Sequence, residues 1–421
     1  MKTFLRFRVD GYYIDMVIND VRGYMKYNQP VTIVHLITTL DVGGAEVMLF
    51  KLLSRMNRAF FCNYVVSLSS NGPVGKEISD SGIPVFSLGM PMGRLTLKGI
   101  TKLWRLLRFY RPSVLQTWLY HADLLGFMIG KSAGTKTICW NIRCSNMELY
   151  ERNLSSYSVM KFCSLLSPFP DAIVTNSRQA KEFHRSLGYR SKTWKIIPNG
   201  FDLKKFRPDK NARADLLEEL SLSCDVSGMV KNSRDDFLIF IGLIARFAPV
   251  KDHETFVKAA CLLIEDRPEA HFIMAGKGVE PGNKSLIRQI PGTLLGHFHL
   301  LGERNDIARI TAAFDIACLT SAYGEGFPNT VGEAMACGIP CVVTDVGDSA
   351  RIVADTGIVV PPKDHRALAA AWGKLVDLKT EGRKRLGLAA RERLCNHFEL
   401  SRVVEQYEAL YSALVIDGKI K

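Results

Sequence analysis

Residues 31–53 have the sequence VTIVHLITTLDVGGAEVMLFKLL, and this stretch decides the class of fold. It begins with an almost continuous apolar run of strand length, residues 31–37. Two glycines, Gly43 and Gly44, follow, and residues 47–53 then place apolar side chains at helical spacing. A buried strand, a glycine turn and a helix form the opening unit of a parallel α/β sheet. We therefore predict an α/β protein whose ordered pattern begins at residue 31.

The same alternation of strand and helix patterns continues along the chain. Further strand-length apolar runs lie at residues 63–68, 85–88, 114–117, 137–140 and 172–175, and again at 237–242, 272–276, 298–302, 316–319 and 340–343. Residues 206–235 between them are polar and broken, as in a linker. A chain of 421 residues is also long for one core. We therefore predict two Rossmann-like, doubly wound domains, residues 31–205 and 206–399, with a ligand in the cleft between them.

Composition narrows the class of protein. Apolar residues make up 47% and charged residues 23%, which is typical of a globular chain. We find no apolar stretch that predicts a membrane span and no signal-peptide pattern. The ten cysteines include no C-x-x-C pair and no zinc spacing, which favours free thiols in a reducing cytosol over a metal site. Residues 1–30 lack clean periodicity and are an N-terminal extension without an assigned role.

Positive charge is concentrated in the first half of the chain. Residues 1–205 contain 28 Lys and Arg against 13 Asp and Glu, a net +15, whereas residues 206–421 contain 27 against 29, a net −2. This asymmetry indicates an anionic partner for the first half. Nucleic acid is disfavoured because no nucleic-acid-binding motif is present. An anionic membrane surface is favoured, and the basic amphipathic pattern at residues 97–110 is a candidate contact, although a helix packed on a sheet gives the same pattern.

Candidate binding residues lie in the segment EGFPNTVGE, residues 325–333. The segment follows a strand and opens a helix, and backbone N–H groups at such a place bind hydroxyl and phosphate oxygens well. The carboxylate of Glu325 is suited to two adjacent hydroxyls, and Glu333 lies on the same side of the helix. A capping glutamate and a surface glutamate are equally compatible with the local pattern.

A second group of candidates follows other strand ends. Arg246 and Lys251 share one loop, and two cations there suit a diphosphate. The chain has no D-x-D motif, so a metal-bridged diphosphate is disfavoured. Gly43 and Gly44 allow a ligand to approach the backbone closely, and His121 is a candidate donor to a sugar or phosphate oxygen. A solvated basic loop, a tight turn and a structural histidine are the alternatives.

From residue 31 to the C-terminus, these pieces resemble the family 4 retaining glycosyltransferases of GT-B architecture. The most specific match is the E-x7-E motif from Glu325 to Glu333, continued by residues 334–340. The other matching segments are Gly43-Gly44-Ala45-Glu46, Pro198-Asn199-Gly200, residues 242–246 with 251–253, and residues 359–362. The resemblance implies retaining, metal-independent transfer of a sugar from a nucleotide-diphosphate sugar, with no cofactor.

The resemblance also implies roles for individual positions. The implied catalytic residues are Glu325, His121, Arg246 and Lys251. The implied donor-binding residues are Gly43, Gly44, Arg246, Lys251, Gly276, Glu325, Gly326, Phe327, Asn329, Thr330 and Glu333. Within that set, Arg246 and Lys251 would meet the diphosphate and Glu333 the ribose. Candidate acceptor residues are Trp118, Arg143 and Asn176, and a final helix at about residues 400–421 would cross back onto the first domain.

The implied chemistry takes place on one face of the sugar, where the departing phosphate oxygen takes the acceptor proton. The implied acceptor is a lipid-linked glycan in bacterial polysaccharide synthesis (capsule, O-antigen or exopolysaccharide). The expected place is the cytoplasm, at the inner face of the cytoplasmic membrane. A nucleotide-sugar epimerase of related fold and a non-catalytic nucleotide-sugar-binding protein are the alternatives. The donor base and the sugar stay open.

Overall fold

Two parallel sheets, each flanked by helices, make up the body of the protein in this computed structural model. The structure describes residues 4–9, 12–17, 30–91, 93–143, 154–222 and 238–420. Near the N-terminus, β1 (Phe4–Val9) and β2 (Tyr12–Val17) pair antiparallel, with Phe4 opposite Val17. The sequence pattern did not predict this hairpin within the N-terminal extension.

The first sheet has seven parallel strands in the order β5-β4-β3-β6-β7-β8-β9. They are β3 (Val31–Ile37), β4 (Phe61–Ser67), β5 (Val85–Ser87), β6 (Val114–Trp118), β7 (Ile138–Ile142), β8 (Ala172–Thr175) and β9 (Trp194–Ile196). The helices are α1 (Gly44–Arg55), α2 (Gly72–Asp80), α3 (Leu97–Tyr110), α4 (Tyr120–Ser132), α5 (Leu154–Leu166) and α6 (Arg178–Ser186). The strand order reverses between β3 and β6, so a crevice opens at their carboxyl ends.

The second sheet has six parallel strands in the order β12-β11-β10-β13-β14-β15. They are β10 (Ile239–Ile244), β11 (Ala270–Ala275), β12 (Phe298–Leu300), β13 (Ile316–Leu319), β14 (Cys341–Thr344) and β15 (Gly357–Val360). The helices are α7 (Ala212–Glu219), α8 (His253–Asp266), α9 (Lys284–Ile287), α10 (Ile307–Ala312), α11 (Asn329–Ala336), α12 (Ser349–Val353), α13 (His365–Asp377) and α14 (Lys379–Phe398). Here the order reverses between β10 and β13, which places a second crevice at their ends.

Each sheet is buried on both faces, which is why its strands are continuously apolar rather than alternating. On the first sheet, α3, α4 and α5 cover one face with Leu103, Leu125 and Met160, while α1 and α2 cover the other with Leu49 and Ile78. The second sheet is enclosed in the same way by two apolar clusters. The expected fold, two doubly wound α/β domains, is confirmed.

The last helix, α15 (Leu400–Ile420), leaves the second domain and packs on the first. Its Val403, Tyr407 and Tyr411 recur at helical spacing and are fully buried with α1 in the core of the first domain. Where the chain returns to the first domain, it pairs with the segment that first left it. Phe201 N–H donates to the carbonyl of Phe398 at 3.0 Å, and Leu400 N–H donates to the carbonyl of Phe201 at 3.0 Å. Two chain crossings therefore lie side by side between the domains.

None of the helices formed by the described residues has the length and apolarity that a membrane span requires.

Candidate active site

The two crevices open toward each other. A Cβ added to Gly44, in the first turn of α1, would lie 3.9 Å from Nδ2 of Asn329 in the second domain. A Cβ added to Gly326 would lie 3.1 Å from Oδ1 of Asn176 in the first domain. The loop that joins β13 to α11 therefore lies against the carboxyl ends of the first sheet.

Lys251 and Glu325, predicted for the diphosphate and the sugar, form an ion pair with each other. Their loops are also tied by Thr320 Oγ1, which donates to the carbonyl of Lys251 at 2.7 Å. The hydroxyl of Ser321 donates to Glu325 Oε1 at 2.6 Å. The two side chains are 24% and 12% exposed, so the pair is mostly buried, and it follows the carboxyl ends of the neighbouring strands β10 and β13. The structure thus brings together two residues that are far apart in the chain.

Arg246, in contrast, is exposed, and within the described parts of the chain its side chain has no hydrogen bond or ion pair in this structure. It follows β10 and leaves its guanidinium available to an anion. Gly276 makes room for this loop, since a Cβ there would lie 2.3 Å from the carbonyl oxygen of Ala245 and 2.9 Å from the Arg246 nitrogen. Gly276 also has a φ of 147°, which residues with a side chain rarely adopt. A glycine at this position thus allows the close backbone approach beneath Arg246.

The glycine turn at the start of α1 holds a carboxylate that belongs to the protein itself. Glu46 folds back onto its own helix N-terminus, because a Cβ on Gly43 would lie only 2.4 Å from Glu46 Oε2. The backbone N–H groups of Ala45 and Glu46 bond this carboxylate, yet burial outweighs them and raises the pKa of Glu46. Gly43 is the N-cap residue and cannot accommodate a side chain without moving Glu46.

Glu333, predicted to hold the ribose, faces cations from two segments. Burial raises the pKa of Glu333, and the charges of Lys51 and Lys205 oppose that rise. Lys51 comes from α1 of the first domain, and its Nζ lies 5.7 Å from the ring centre of Phe201. Burial lowers the pKa of Lys51, with Glu333 opposing. Lys51 is a residue that sequence reasoning missed, and its helical position on the Gly43–Gly44 helix was the available signal.

His121 lies half-buried in the first turn of α4, at the end of β6. The residue two positions before it, Leu119, has a φ of 72°, a conformation that side chains other than glycine rarely adopt. Burial lowers the pKa of His121, so the imidazole is neutral at pH 7 and has one donor and one acceptor nitrogen. The strand end therefore places a neutral hydrogen-bonding group beside the first crevice.

The three candidate acceptor residues differ in burial, because Trp118 and Asn176 are buried and Arg143 is half-buried. The indole of Trp118 is fully buried and stacks on Tyr407, with 6.3 Å between ring centres. Its position corrects the prediction, because α15 covers the end of β6 and leaves this side chain no surface for an acceptor. Arg143 lies over Trp118 and bonds Tyr407 Oη at 3.0 Å, so its guanidinium is already engaged. Asn176 is buried, but it lies against Gly326 at the junction of the domains.

Residues 320–330, from the end of β13 to the first turn of α11, are called the donor loop, and its remaining candidates are Phe327 and Thr330. Phe327 is buried between Phe201 and Phe398, with ring centres 6.1 and 5.4 Å away. Its side chain is therefore an apolar anchor that fixes the loop. Thr330 is half-buried in the first turn of α11. Both positions place backbone groups at the N-terminus of that helix.

Asp348 is an inter-domain contact that the sequence pattern did not predict. Both of its carboxylate oxygens lie 3.1 Å from the N–H nitrogen of Arg178, and Oδ1 lies 3.3 Å from that of Gln179. A carboxylate of the second domain thus occupies the N-terminus of α6 in the first. The backbone N–H of Asp348 donates to the carbonyl of Gly326 at 2.9 Å, which links this contact to the donor loop.

Two family models match the chain, and they match separate domains. "Glycosyltransferase Family 4" matches residues 42–205, and "Glycosyl transferases group 1" matches residues 236–377. Together they span most of the chain. The protein belongs to the group 1 glycosyltransferases. The expected family is therefore confirmed, and this group 1 glycosyltransferase has the GT-B arrangement of two facing domains.

Two relatives of this glycosyltransferase are named for transfer to sugars linked to diphosphoundecaprenol. It is 25% identical over 378 residues to the UDP-Gal:alpha-D-GlcNAc-diphosphoundecaprenol alpha-1,3-galactosyltransferase of Escherichia coli. That match covers 87% of this chain and 92% of the relative. It is 26% identical over 274 residues to the N,N'-diacetylbacillosaminyl-diphospho-undecaprenol alpha-1,3-N-acetylgalactosaminyltransferase of Campylobacter jejuni, covering 63% and 66%.

Among solved structures, HepE of Anabaena in complex with UDP superposes with a TM-score of 0.77 at 20% identity, covering 91% of this chain and all of that one. Sucrose-phosphate synthase of Thermosynechococcus elongatus superposes with a TM-score of 0.71 at 19% identity, covering 92% and 100%. At these identities the likeness concerns the fold.

Proposed function

We propose that this glycosyltransferase transfers a sugar, with retention of configuration and without a metal ion, from a nucleotide-diphosphate sugar to a lipid-diphosphate-linked acceptor. The observation that carries the donor half is the arrangement at the second crevice. Exposed Arg246, which has no ion pair among the described residues, shares a loop with Lys251. Lys251 pairs with Glu325, whose own loop faces Gly44 across the cleft. Cations, a carboxylate and helix N-termini converge there, as a sugar diphosphate requires.

In the proposed reaction, the bond between the anomeric carbon and the phosphate oxygen breaks, and negative charge develops on that oxygen. Arg246 stabilises this charge with its planar fork and Lys251 does so as a point charge. The acceptor hydroxyl gives its proton to the departing phosphate oxygen and its oxygen bonds the anomeric carbon on the same face. The products are the glycosylated acceptor and the nucleoside diphosphate.

The Lys251–Glu325 pair also orients the carboxylate. The ammonium of Lys251 and the hydroxyl of Ser321 both bond the same oxygen of Glu325, Oε1. In this proposal the Glu325 carboxylate also accepts hydrogen bonds from the donor sugar's hydroxyls. Neutral His121, from the facing domain, supplies a further hydrogen bond to the transferred sugar. Glu333 lies further along α11 and faces Lys51 of α1, and the ribose would be held there.

The proposed acceptor rests on the names of two relatives, both of which transfer to sugars on undecaprenol diphosphate. UDP-sugars are the first donors to test, because the Escherichia coli relative is named for UDP-Gal and HepE has been crystallised with UDP and UDP-glucose. A lipid acceptor also places the enzyme, in this proposal, at the inner face of the cytoplasmic membrane.

The surface that would meet the membrane is the outer side of α3, α4 and α5. These helices lie side by side on one face of the first sheet and expose large apolar side chains. The exposed residues are Leu97, Trp104, Phe109, Met128, Phe162 and Leu165. Lys98, Lys102 and Arg105 line a groove of about 540 Å³ beside Phe109. Apolar side chains among cations match an anionic lipid surface.

A transfer assay tests the enzymatic proposal. The protein is incubated with a panel of UDP- and GDP-sugars and polyprenyl-diphosphate-linked N-acetylglucosamine, and the lipid product is analysed by mass spectrometry. We expect one sugar to be added and one equivalent of nucleoside diphosphate to be released. An epimerised sugar nucleotide in the absence of acceptor would instead identify the epimerase. Donor binding with no product from any acceptor would identify the binding protein.

A vesicle assay tests the membrane proposal. We expect co-sedimentation with phosphatidylglycerol vesicles at low salt and none with phosphatidylcholine. Arg105→Glu and Phe109→Ser should each weaken it, whereas Lys258→Glu on the second domain, also a reversal of an exposed cation, should not. No affinity for the anionic vesicles at low salt would contradict this surface.

A further inference from the structure

A continuous chain of polar side chains runs from the last helix to the donor loop. Tyr407 Oη of α15 accepts from Arg143 Nη1 at 3.0 Å and from Asn141 Nδ2 at 3.0 Å. Nη2 of Arg143 donates to Oδ1 of Asn199, in the segment that crosses between the domains. Nδ2 of Asn199 donates to Oδ1 of Asn329 at 2.6 Å. Asn329 is the first residue of α11 and lies opposite Gly44.

The chemistry of this chain fixes the direction of both amides. A guanidinium has only donors, so Arg143 can bond only the oxygen of the Asn199 amide. The nitrogen of Asn199 must then lie on the other side, where it also reaches the carbonyl of Phe327 at 3.4 Å. That nitrogen can bond only the oxygen of Asn329. The Nδ2 group of Asn329 is consequently turned toward the cleft, 3.9 Å from where a Cβ of Gly44 would lie.

Burial makes this ordering strict. Asn199 is 4% exposed, so a reversed amide would leave its buried nitrogen facing the Arg143 guanidinium. It would also set its oxygen against the Asn329 oxygen, and water has little access to compensate. The guanidinium of Arg143 therefore orients the amides of Asn199 and Asn329 in turn, and Asn329 presents its N–H group rather than its oxygen to the cleft.

We propose that Arg143 and Asn199 are positioning residues for the donor, and that the Nδ2 group of Asn329 which they orient donates a hydrogen bond to an oxygen of the donor's diphosphate. This inference rests on the proposed function and deepens it. An acceptor oxygen at the same place would repel the phosphate. Because Arg143 belongs to the first domain and Asn329 to the second, the donor loop gains its orientation only where the domains meet.

Asn199→Asp tests the relay. The carboxylate still accepts from Arg143 but has no hydrogen for Asn329, whose amide then turns its nitrogen inward and its oxygen to the cleft. We expect the affinity for UDP or GDP, measured by calorimetry, to fall by about tenfold to a hundredfold, as on loss of a hydrogen bond to a charged group. The affinity for the matching nucleoside, uridine or guanosine, should not change.

Asn211→Asp, at an exposed position before α7, is the matched control for the added charge and should bind like the wild type. Asn329→Asp is the second variant. It still accepts from Asn199 and keeps the relay intact, so it should fold and should lose nucleoside-diphosphate affinity alone. Wild-type affinity in both variants, or an equal loss for nucleoside and diphosphate, would overturn the relay. A wild-type protein that binds neither UDP nor GDP would instead overturn the proposed function.

Discussion

Replacing Arg246 and Lys251 by alanine, one at a time, separates the donor site from the stability of the fold. Arg246 is exposed and makes no ion pair within the described chain, so Arg246→Ala should change the free energy of unfolding by no more than about 0.5 kcal/mol. Lys251→Ala removes the ammonium that pairs with the mostly buried Glu325 carboxylate, while the hydrogen bond from Ser321 Oγ stays. That loss should cost about 1–2 kcal/mol, less than a fully buried pair because both groups retain some solvent.

The catalytic effects should be alike even though the stabilities differ. Each cation stabilises charge on the departing phosphate, and loss of one such group costs about 10²–10³ in kcat. Release of nucleoside diphosphate from the donor, with water or acceptor, measures the rate, and thermal melting measures the fold. Lys258→Ala, in the exposed pair with Glu254, is the control for both readouts. A kcat for Arg246→Ala within threefold of the wild type, at saturating donor, would refute the role of this loop.

Three further outcomes follow from the structure. Phe327→Ala should lower the free energy of unfolding in urea by about 3–5 kcal/mol, because it empties a buried contact with Phe201 and Phe398, and a loss under 1 kcal/mol would contradict the anchor. Tyr407→Phe should cost about 1–2 kcal/mol because its hydroxyl is shared by Arg143 and Asn141. Tyr411→Phe removes a buried hydroxyl that has no partner among the described residues, so it should be neutral or stabilising, and equal losses would contradict this difference. Burial lowers the pKa of His35, His184, His253, His271 and His299 to about 4 from an ordinary 6.5, so the unfolded chain binds more protons between those values. Stability is therefore full above pH 6.5 and falls toward pH 4, and a urea midpoint that does not fall between pH 7.5 and 5 would contradict these burials.

The fold was predictable from local sequence because each strand is a short apolar run bounded by a turn. The stretch from residue 31 to 53 contains a strand, a glycine turn and a helix, and β3 and α1 occupy it. The hairpin of β1 and β2 was not predicted, since its strands lie in a segment without clean alternation. The short edge strand β15 was noted only as part of a motif and was not predicted as a strand.

The candidate site was predictable as a set of loops but not as a set of contacts. Lys251 and Glu325 were assigned to different parts of the donor, and their pairing depends on β10 and β13 being neighbours in the sheet. Trp118 is the last residue of β6 and Arg143 follows β7, and such positions favour a place in the cleft. Both contact Tyr407 of α15, which comes more than 260 residues later in the chain. Only the three-dimensional packing of that helix shows which strand ends stay open.

The stereochemistry of transfer tests the central claim most directly. The product of a transfer from an α-linked nucleotide sugar is examined by proton NMR at the new anomeric position, before any spontaneous rearrangement. The proposed one-face reaction at Arg246, Lys251 and Glu325 predicts an α-linked product with stoichiometric release of nucleoside diphosphate. A β-linked product would contradict the one-face mechanism, and a sugar nucleotide that is epimerised but never transferred would contradict the assignment as a glycosyl transfer enzyme.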